Sequence, residues 1–497
     1  MLLPPPIPGS VALHQLLVDP STSFHTRNLT DANAARGTVR TALKHTTKNA
    51  NSGQADWTGA ARALQEYLGH LVAILACVEA DDLVLRTDPV FFQWRGSLSS
   101  SPLRKGSQRV ALPSLHAELT GTLLAYALCL ANQASSLVAS LGSYEISASV
   151  SSAAIGVHDE TINSAADTLC RASGVLMHLA ETVVPRWEAA VGTEALRQRP
   201  VEMTREVTTA LAKMCLADAN LLAIRRLLSR SLSVAHSTTT PGPPLPPGHP
   251  SPSLLAKLHL HVYTLYDEAR TLVKTVSSST ASGPRSNLTG AASSSGEIVL
   301  PLRRYLSDGR TLALALSYKW LGVDAGERAS PPATGDALGY LALAAQELDA
   351  LGDKDKGLKK LKGFGKGREA GKGRKGKVQE ERESTEAFRS AYEKVNDTVH
   401  FQPIPPAPTL QSRLPSGRAA LAPKAFSLPP PAFRPSLGTG ARPPPPHKIP
   451  PPLPPPVGLD GMGGGAGGDD SSDDDDDEAG ADDATQVGDY FGAGQYF

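Results

Sequence analysis

Through the first 400 residues of this 497-residue chain, apolar side chains recur every three or four positions. The clearest stretch is 254–276, with apolar residues at 255, 258, 262, 265, 266, 269, 272, 273 and 276. On a helix those positions form one continuous stripe that must be buried against a neighbour. Pro252 and Ser253 supply a start signal. Similar periodicity predicts helices over 115–141, 165–184, 202–229, 312–321 and 336–351, the second ending before Pro185-Arg-Trp. The last two are joined by a Gly/Pro-rich loop and resemble a helix-turn-helix repeat, whose units bury their faces by stacking. Only 90–94 and 109–112 read as short strands. The fold class expected is all-α.

Near residue 405 the composition changes. Nineteen prolines lie between Pro405 and Pro456, followed by a glycine run at 461–468 and an acidic run at 469–483. Such a segment buries too little apolar area to offset the entropy of ordering it, so 406–497 is expected to be a disordered Pro-rich, Gly-rich and acidic tail. Within the helical part, 237–252 (Thr/Pro/Gly-rich), 277–296 (Ser-rich) and about 354–383 (Lys/Gly-rich) read as flexible insertions.

Charge narrows the function classes. The 49 Lys+Arg and 49 Asp+Glu cancel, which gives no global attraction to nucleic acid or anionic lipid. The basic charge is concentrated locally: 354–377 holds 11 basic and two acidic residues. That run suits phosphates, at a membrane surface in preference to nucleic acid, because Phe364 is its sole aromatic and stacking needs more. A solvated flexible insertion between two helices is the simpler reading and is preferred to both. In the tail, Pro443-x-x-Pro446-x-Lys448 fits an SH3-type ligand, a proline helix with a flanking cation.

No arrangement of catalytic residues emerges. Gly-x-Ser-x-Gly and His-Glu-x-x-His are absent, and His259 and His261, two apart on a helix, point to different faces. Cys77, Cys129, Cys170 and Cys215 lie in apolar helical patterns without any C-x-x-C, so they read as buried hydrophobes. No cofactor or metal site is expected. The opening MLLPPPIPGS has no basic n-region and does not read as a signal peptide. The apolar stretch 119–131 falls short of the about 20 residues a membrane span needs.

Four ordered segments resemble the BRO domain (Bro/Alix-type) family over about residues 10–405. Lys394-Val-Asn-Asp-Thr-Val-His-Phe-Gln-Pro-Ile-Pro405 looks like its closing signature, with His400 where some members carry Tyr. Ala172-Ser-Gly-Val-Leu-Met-His-Leu-Ala-Glu-Thr-Val resembles its central helix. Leu216-Ala-Asp-Ala-Asn resembles Leu-Ala-Gln-Ala-Gln, and Leu254-Leu-Ala-Lys-Leu opens the next helix. Phe92-Gln-Trp-Arg, Ser317-Tyr-Lys-Trp-Leu-Gly-Val-Asp-Ala-Gly-Glu and Asp336-Ala-Leu-Gly-Tyr-Leu are similar to a fungal branch that serves ambient-pH signalling.

The resemblance implies a curved helical domain with a tetratricopeptide-like core. It also implies a non-enzymatic adaptor for the C-terminal helix of the ESCRT-III core subunit. In the fungal branch the adaptor supports alkaline-pH signalling toward processing of the PacC transcription factor, in the cytoplasm with recruitment to cortical or endosomal membranes. The alternatives are a general endosomal-sorting scaffold and, more distantly, a basic-loop nucleic-acid binder. Carried over, the ESCRT-III patch falls on Asp159, Asn163, Ala223, Ile224, Leu254 and Leu258. Ala223 stands where the family has Phe. The stripe pulls Leu258 toward the core as well, whereas Leu254 lies off its centre.

Overall fold

The computed structural model describes residues 1–20, 24–100, 109–142, 152–235, 243–246, 248–281, 297–329, 332–361 and 370–436. Twelve α-helices account for most of these residues: α1 (Leu13–Leu16), α2 (Thr26–Lys48), α3 (Trp57–Glu79), α4 (Leu115–Leu141), α5 (Ser152–His178), α6 (Val184–Val191), α7 (Arg205–Ala235), α8 (Pro252–Ala281), α9 (Leu300–Glu327), α10 (Thr334–Leu361), α11 (Ala370–Val395) and α12 (Ala407–Ser412). Each long helix packs on the next in chain order, from α2 on α3 to α10 on α11, with α5 bridging α4 and α7. The amphipathic stripes explain this order, since each helix buries its two flanks against its sequence neighbours.

Among the described residues there are also seven short strands: β1 (Ile7–Pro8), β2 (Leu17–Val18), β3 (Val84–Leu85), β4 (Phe91–Arg95), β5 (Ser99–Ser100), β6 (Arg109–Pro113) and β7 (Glu297–Ile298). Strands β4 and β6 occupy the two expected segments and pair antiparallel, with Phe92 opposite Leu112 and Trp94 opposite Val110. β1 adds to the other edge of β4. Strand alternation turns Phe92 and Trp94 inward and Phe91 outward.

Trp94 ends in a buried polar cluster under α4. Glu118 accepts from Arg36 Nε (2.7 Å), Tyr67 Oη (2.9 Å) and Trp94 Nε1 (2.8 Å). Arg36 Nη1 donates to the carbonyl of Gly9 at 2.7 Å, which ties in the N-terminal segment. The indole lies so close over α4 that position 121 has no room for a Cβ, which explains the glycine inside this apolar helix.

Several expectations are corrected. The helix over 165–184 continues through Pro185 to Val191 by a π turn, Leu179–Val183. The widened turn places Pro185 at the start of α6, where a missing N–H is tolerated. Leu115–Leu141 and Arg205–Ser229 are long and apolar enough to cross a membrane by length and composition, contrary to the shorter estimate. Both are central helices with most of that surface enclosed by the fold.

The insertion expected over 237–252 is partly seated. Leu245 packs against the core, its N–H reaches Glu327 Oε2 at 3.3 Å, and the His249 ring lies tilted against Trp320 with centroids 5.1 Å apart. Of the Ser-rich stretch, 282–296 lies outside the described residues. The segment expected to be flexible from 354 enters α11 at residue 370. Glu381 of α11 receives Lys319 at 2.6 Å, and Arg382 meets Asp349 at 2.5 Å.

The largest difference concerns the tail. Residues 413–436 form a strap without regular secondary structure, laid across α8, α7, α5 and α3 in turn. The remainder, including Pro443, Pro446, Lys448 and the acidic run, lies outside the described residues.

Candidate functional site

The closing signature feeds the strap onto the helices. Asn396 Oδ1 accepts from Thr334 Oγ1 (2.6 Å) and from the Gln402 N–H (3.0 Å), while its Nδ2 donates to the Gln402 carbonyl (3.1 Å). This side chain reverses the chain at Phe401, whose φ is 51°. Val399, Phe401 and Ile404 are left exposed.

From there the strap is held by backbone bonds to successive helices. The Arg418 N–H donates to the Lys257 carbonyl (2.9 Å) on α8. On α7, Asn220 Oδ1 accepts from the N–H groups of both Ala420 (2.9 Å) and Leu421 (3.0 Å). On α5, the Lys424 N–H donates to the Cys170 carbonyl (3.1 Å), and Lys424 Nζ pairs with Asp167. On α3, the Ala432 N–H donates to the Gly69 carbonyl (3.0 Å). Leu421, Phe426, Leu428 and Phe433 pack against the main core. The Phe426 ring lies 5.4 Å from His178, whose pKa burial lowers.

Two signature residues acquire a physical role here. Asn220 is the last residue of Leu216-Ala-Asp-Ala-Asn and is the strap's clamp. Asp218 of the same motif is buried and accepts from Tyr266 and, at 2.8 Å, Tyr305, which locks α7 to α8 and α9. Burial drives its pKa up.

The same three helices carry the expected patch. Asp159 of α5 lies beside Ser229 of α7 (3.2 Å) and Ser173 beside Ala212 (2.9 Å), so these helices run antiparallel. Lys213 of α7 meets Glu268 of α8 at 2.5 Å, and Tyr266 meets Asp218, a second antiparallel pair. This register sets Asn163, Ala223 and Leu258 on one level, and Asp159, Leu227 and Leu254 on the next.

On α7, residues 216, 220, 223 and 227 share one face; on α8, so do 254, 257 and 261. The strap occupies Asn220 and Lys257 on those faces, and Ala223, Leu227 and Leu254 continue them one or two turns beyond it. The strap therefore forms one bank of the candidate surface.

Burial divides the carried-over residues. Leu254, Ala223 and Asn163 are half-buried and reach the outer face. Leu258 and Ile224 are each 3% exposed and belong to the core. Leu258 is turned inward by the stripe it shares with Leu255 and Val262. Asp159 is also buried. Sequence reasoning missed Leu227, which is 41% exposed and one turn beyond Ala223. The signal was present: a leucine at i+4 from the position where the family carries its ring.

Residues 19–426 match the BRO1-like domain. The pH-response regulator protein palC of Cryptococcus neoformans var. neoformans serotype D (strain B-3501A) is 40% identical, over 87% of this chain and 92% of that protein. Among solved structures, one described as the structural basis for endosomal targeting by the Bro1 domain aligns with a TM-score of 0.54 and 14% identity, covering 85% of this chain and 92% of that one. The ALIX BRO1 CHMP4C complex aligns with a TM-score of 0.52 and 13% identity, covering 87% and 97%. The helical stack, the clamp at Asn220 and these matches together establish that the chain belongs to the BRO1-like domain family.

Proposed function

We propose that this protein is a non-enzymatic adaptor of fungal alkaline-pH signalling, whose BRO1-like domain captures the C-terminal amphipathic helix of the ESCRT-III core subunit. The observation that carries this reading is the outer face formed by Leu254, Ala223 and Leu227 beside the strap. A helix presenting apolar residues at i, i+3, i+4 and i+7 fits such a surface. Leu227 supplies apolar area that the alanine at 223 lacks. Asn163 and the exposed Arg226 offer polar partners at its margin. The kinship to palC supports the pH-signalling role, and the fold shared with an ALIX domain solved with CHMP4C supports a helix-binding one.

A pull-down of the full chain with that terminal helix tests the binding. Deleting the gene tests the pathway: an alkaline-growth defect with intact endosomal cargo sorting is expected. A sorting defect with normal alkaline growth would favour a general endosomal-sorting scaffold.

A further inference from the structure

Three side chains far apart in sequence meet at one end of the helical stack. His25 precedes α2, Cys77 lies in the last turn of α3, and Asp82 sits in the turn after it. An imidazole nitrogen, the thiol sulfur and a carboxylate oxygen from these three all lie within 4.8 Å of one another. His25 and Cys77 are fully enclosed and Asp82 is half-buried.

A second observation points to a ligand. The buried Nε2 of His25 has no hydrogen-bond partner. It faces Asp82 Oδ2 at 3.8 Å, too far for a hydrogen bond. Its other nitrogen, Nδ1, lies 3.4 Å from Asn28 Nδ2, which donates to it as placed. Turning that amide end for end on ligation brings Oδ1 to the ring, so that Nδ1 donates the proton and the Nε2 lone pair faces the cluster.

We propose that His25, Cys77 and Asp82 bind one zinc-class divalent cation, which ties the start of α2 and the end of α3 to the last residues of the strap. The donor set of imidazole, thiolate and carboxylate suits that class. Tetrahedral ligands bonded at about 2.0–2.3 Å sit roughly 3.3–3.8 Å apart, so small side-chain rotations close the site.

Binding forms a bond from Cys77 Sγ to the cation and releases the thiol proton to solvent. The thiolate and the Asp82 carboxylate then balance the two positive charges, and a water completes the shell. Around the ligands, Asp19 Oδ2 accepts the backbone N–H of His25 at 2.6 Å. Ser436 donates to Asp82 from both its N–H and its Oγ. The Phe433 ring covers His25 at 5.7 Å. The strap's end is thereby fixed through a metal ligand. The absence of C-x-x-C hid this site, because its ligands come from a helix start, a helix end and a turn.

The test uses the full chain, stripped by a chelator and titrated with Co2+. A thiolate-to-cobalt charge-transfer band saturating at one equivalent, and displaced by Zn2+, is expected. Cys77→Ser should abolish the band and His25→Ala should weaken cobalt binding at least tenfold. No band at saturating cobalt in the unmutated chain would overturn the proposal, whatever the variants do. A band retained in Cys77→Ser would overturn it by assigning the thiolate to another cysteine, and cobalt affinity unchanged in His25→Ala would overturn it by removing the imidazole from the site. Binding without a thiolate band would overturn it by assigning the cation to oxygen ligands such as the acidic run.

Discussion

The carbonyl oxygen of Lys424 occupies the space where a side chain at Gly174 would begin. Gly174 lies inside α5, where glycine weakens a helix by about 1 kcal/mol relative to alanine. Its presence there is explained by the strap, which needs bare helix backbone to reach the Cys170 carbonyl.

Gly174→Ala is therefore expected to displace the strap despite alanine's better helix propensity. Overpacking of this kind costs about 1–3 kcal/mol. Hydrogen exchange checks it: the amides of Arg418, Lys424 and Ala432 should lose protection while those within α5 keep theirs.

Truncation distinguishes strap from tail. Removing 437–497 should leave the melting temperature unchanged. Removing 413–497 should lower it, because Leu421, Phe426, Leu428 and Phe433 leave the core surface. Helical circular dichroism should change little in either case, since the strap contributes no helix beyond α12. Equal melting temperatures for the two truncations would contradict the seated strap.

Glu118→Gln should be among the most destabilising single substitutions. It leaves the Arg36 guanidinium buried without its counter-charge, and Tyr67 and Trp94 still facing the altered group. Breaking a buried pair from one side costs about 3–5 kcal/mol. Urea unfolding of the two proteins measures it.

Stability should fall on acidification below the ordinary histidine range. Burial, reinforced by the Lys319 charge, holds His259 down at about 3, and burial also lowers His116, His178, His249 and His261. Between roughly pH 6.5 and pH 3 the unfolded chain takes up a proton at position 259 that the folded chain refuses. The contribution is fully present above pH 6.5 and is lost as pH falls, by up to about 1.4 kcal/mol per unit. His259→Gln should flatten the stability-versus-pH slope by that amount in urea titrations, and an unaltered slope would remove His259 from the account.

Much of the scaffold was legible because its determinants are periodic or local. The stripe through Leu255, Val262 and Ala269 specifies α8, and the two short strands appear as β4 and β6. The strap was not legible. Its apolar anchors at 421, 426, 428 and 433 follow no helical or strand period, and its hydrogen bonds go to helices up to about 360 positions earlier. Proline-rich composition therefore read as disorder although the partner surface already existed. The patch was half legible. Family spacing located Leu254 and Ala223, but burial of Leu258 and Ile224 and exposure of Leu227 depend on how three helices rotate against one another.

The face of Leu254 and Leu227 beside the strap is the proposed docking surface for an incoming amphipathic helix. Calorimetric titration of the full chain with the ESCRT-III C-terminal helix, unmutated and as Leu254→Asp and Leu227→Asp, tests it most directly. Saturable one-to-one binding that either substitution weakens at least tenfold, with melting temperatures preserved, is the predicted result. Affinity unchanged in both folded variants, or no binding by the unmutated chain, would contradict it.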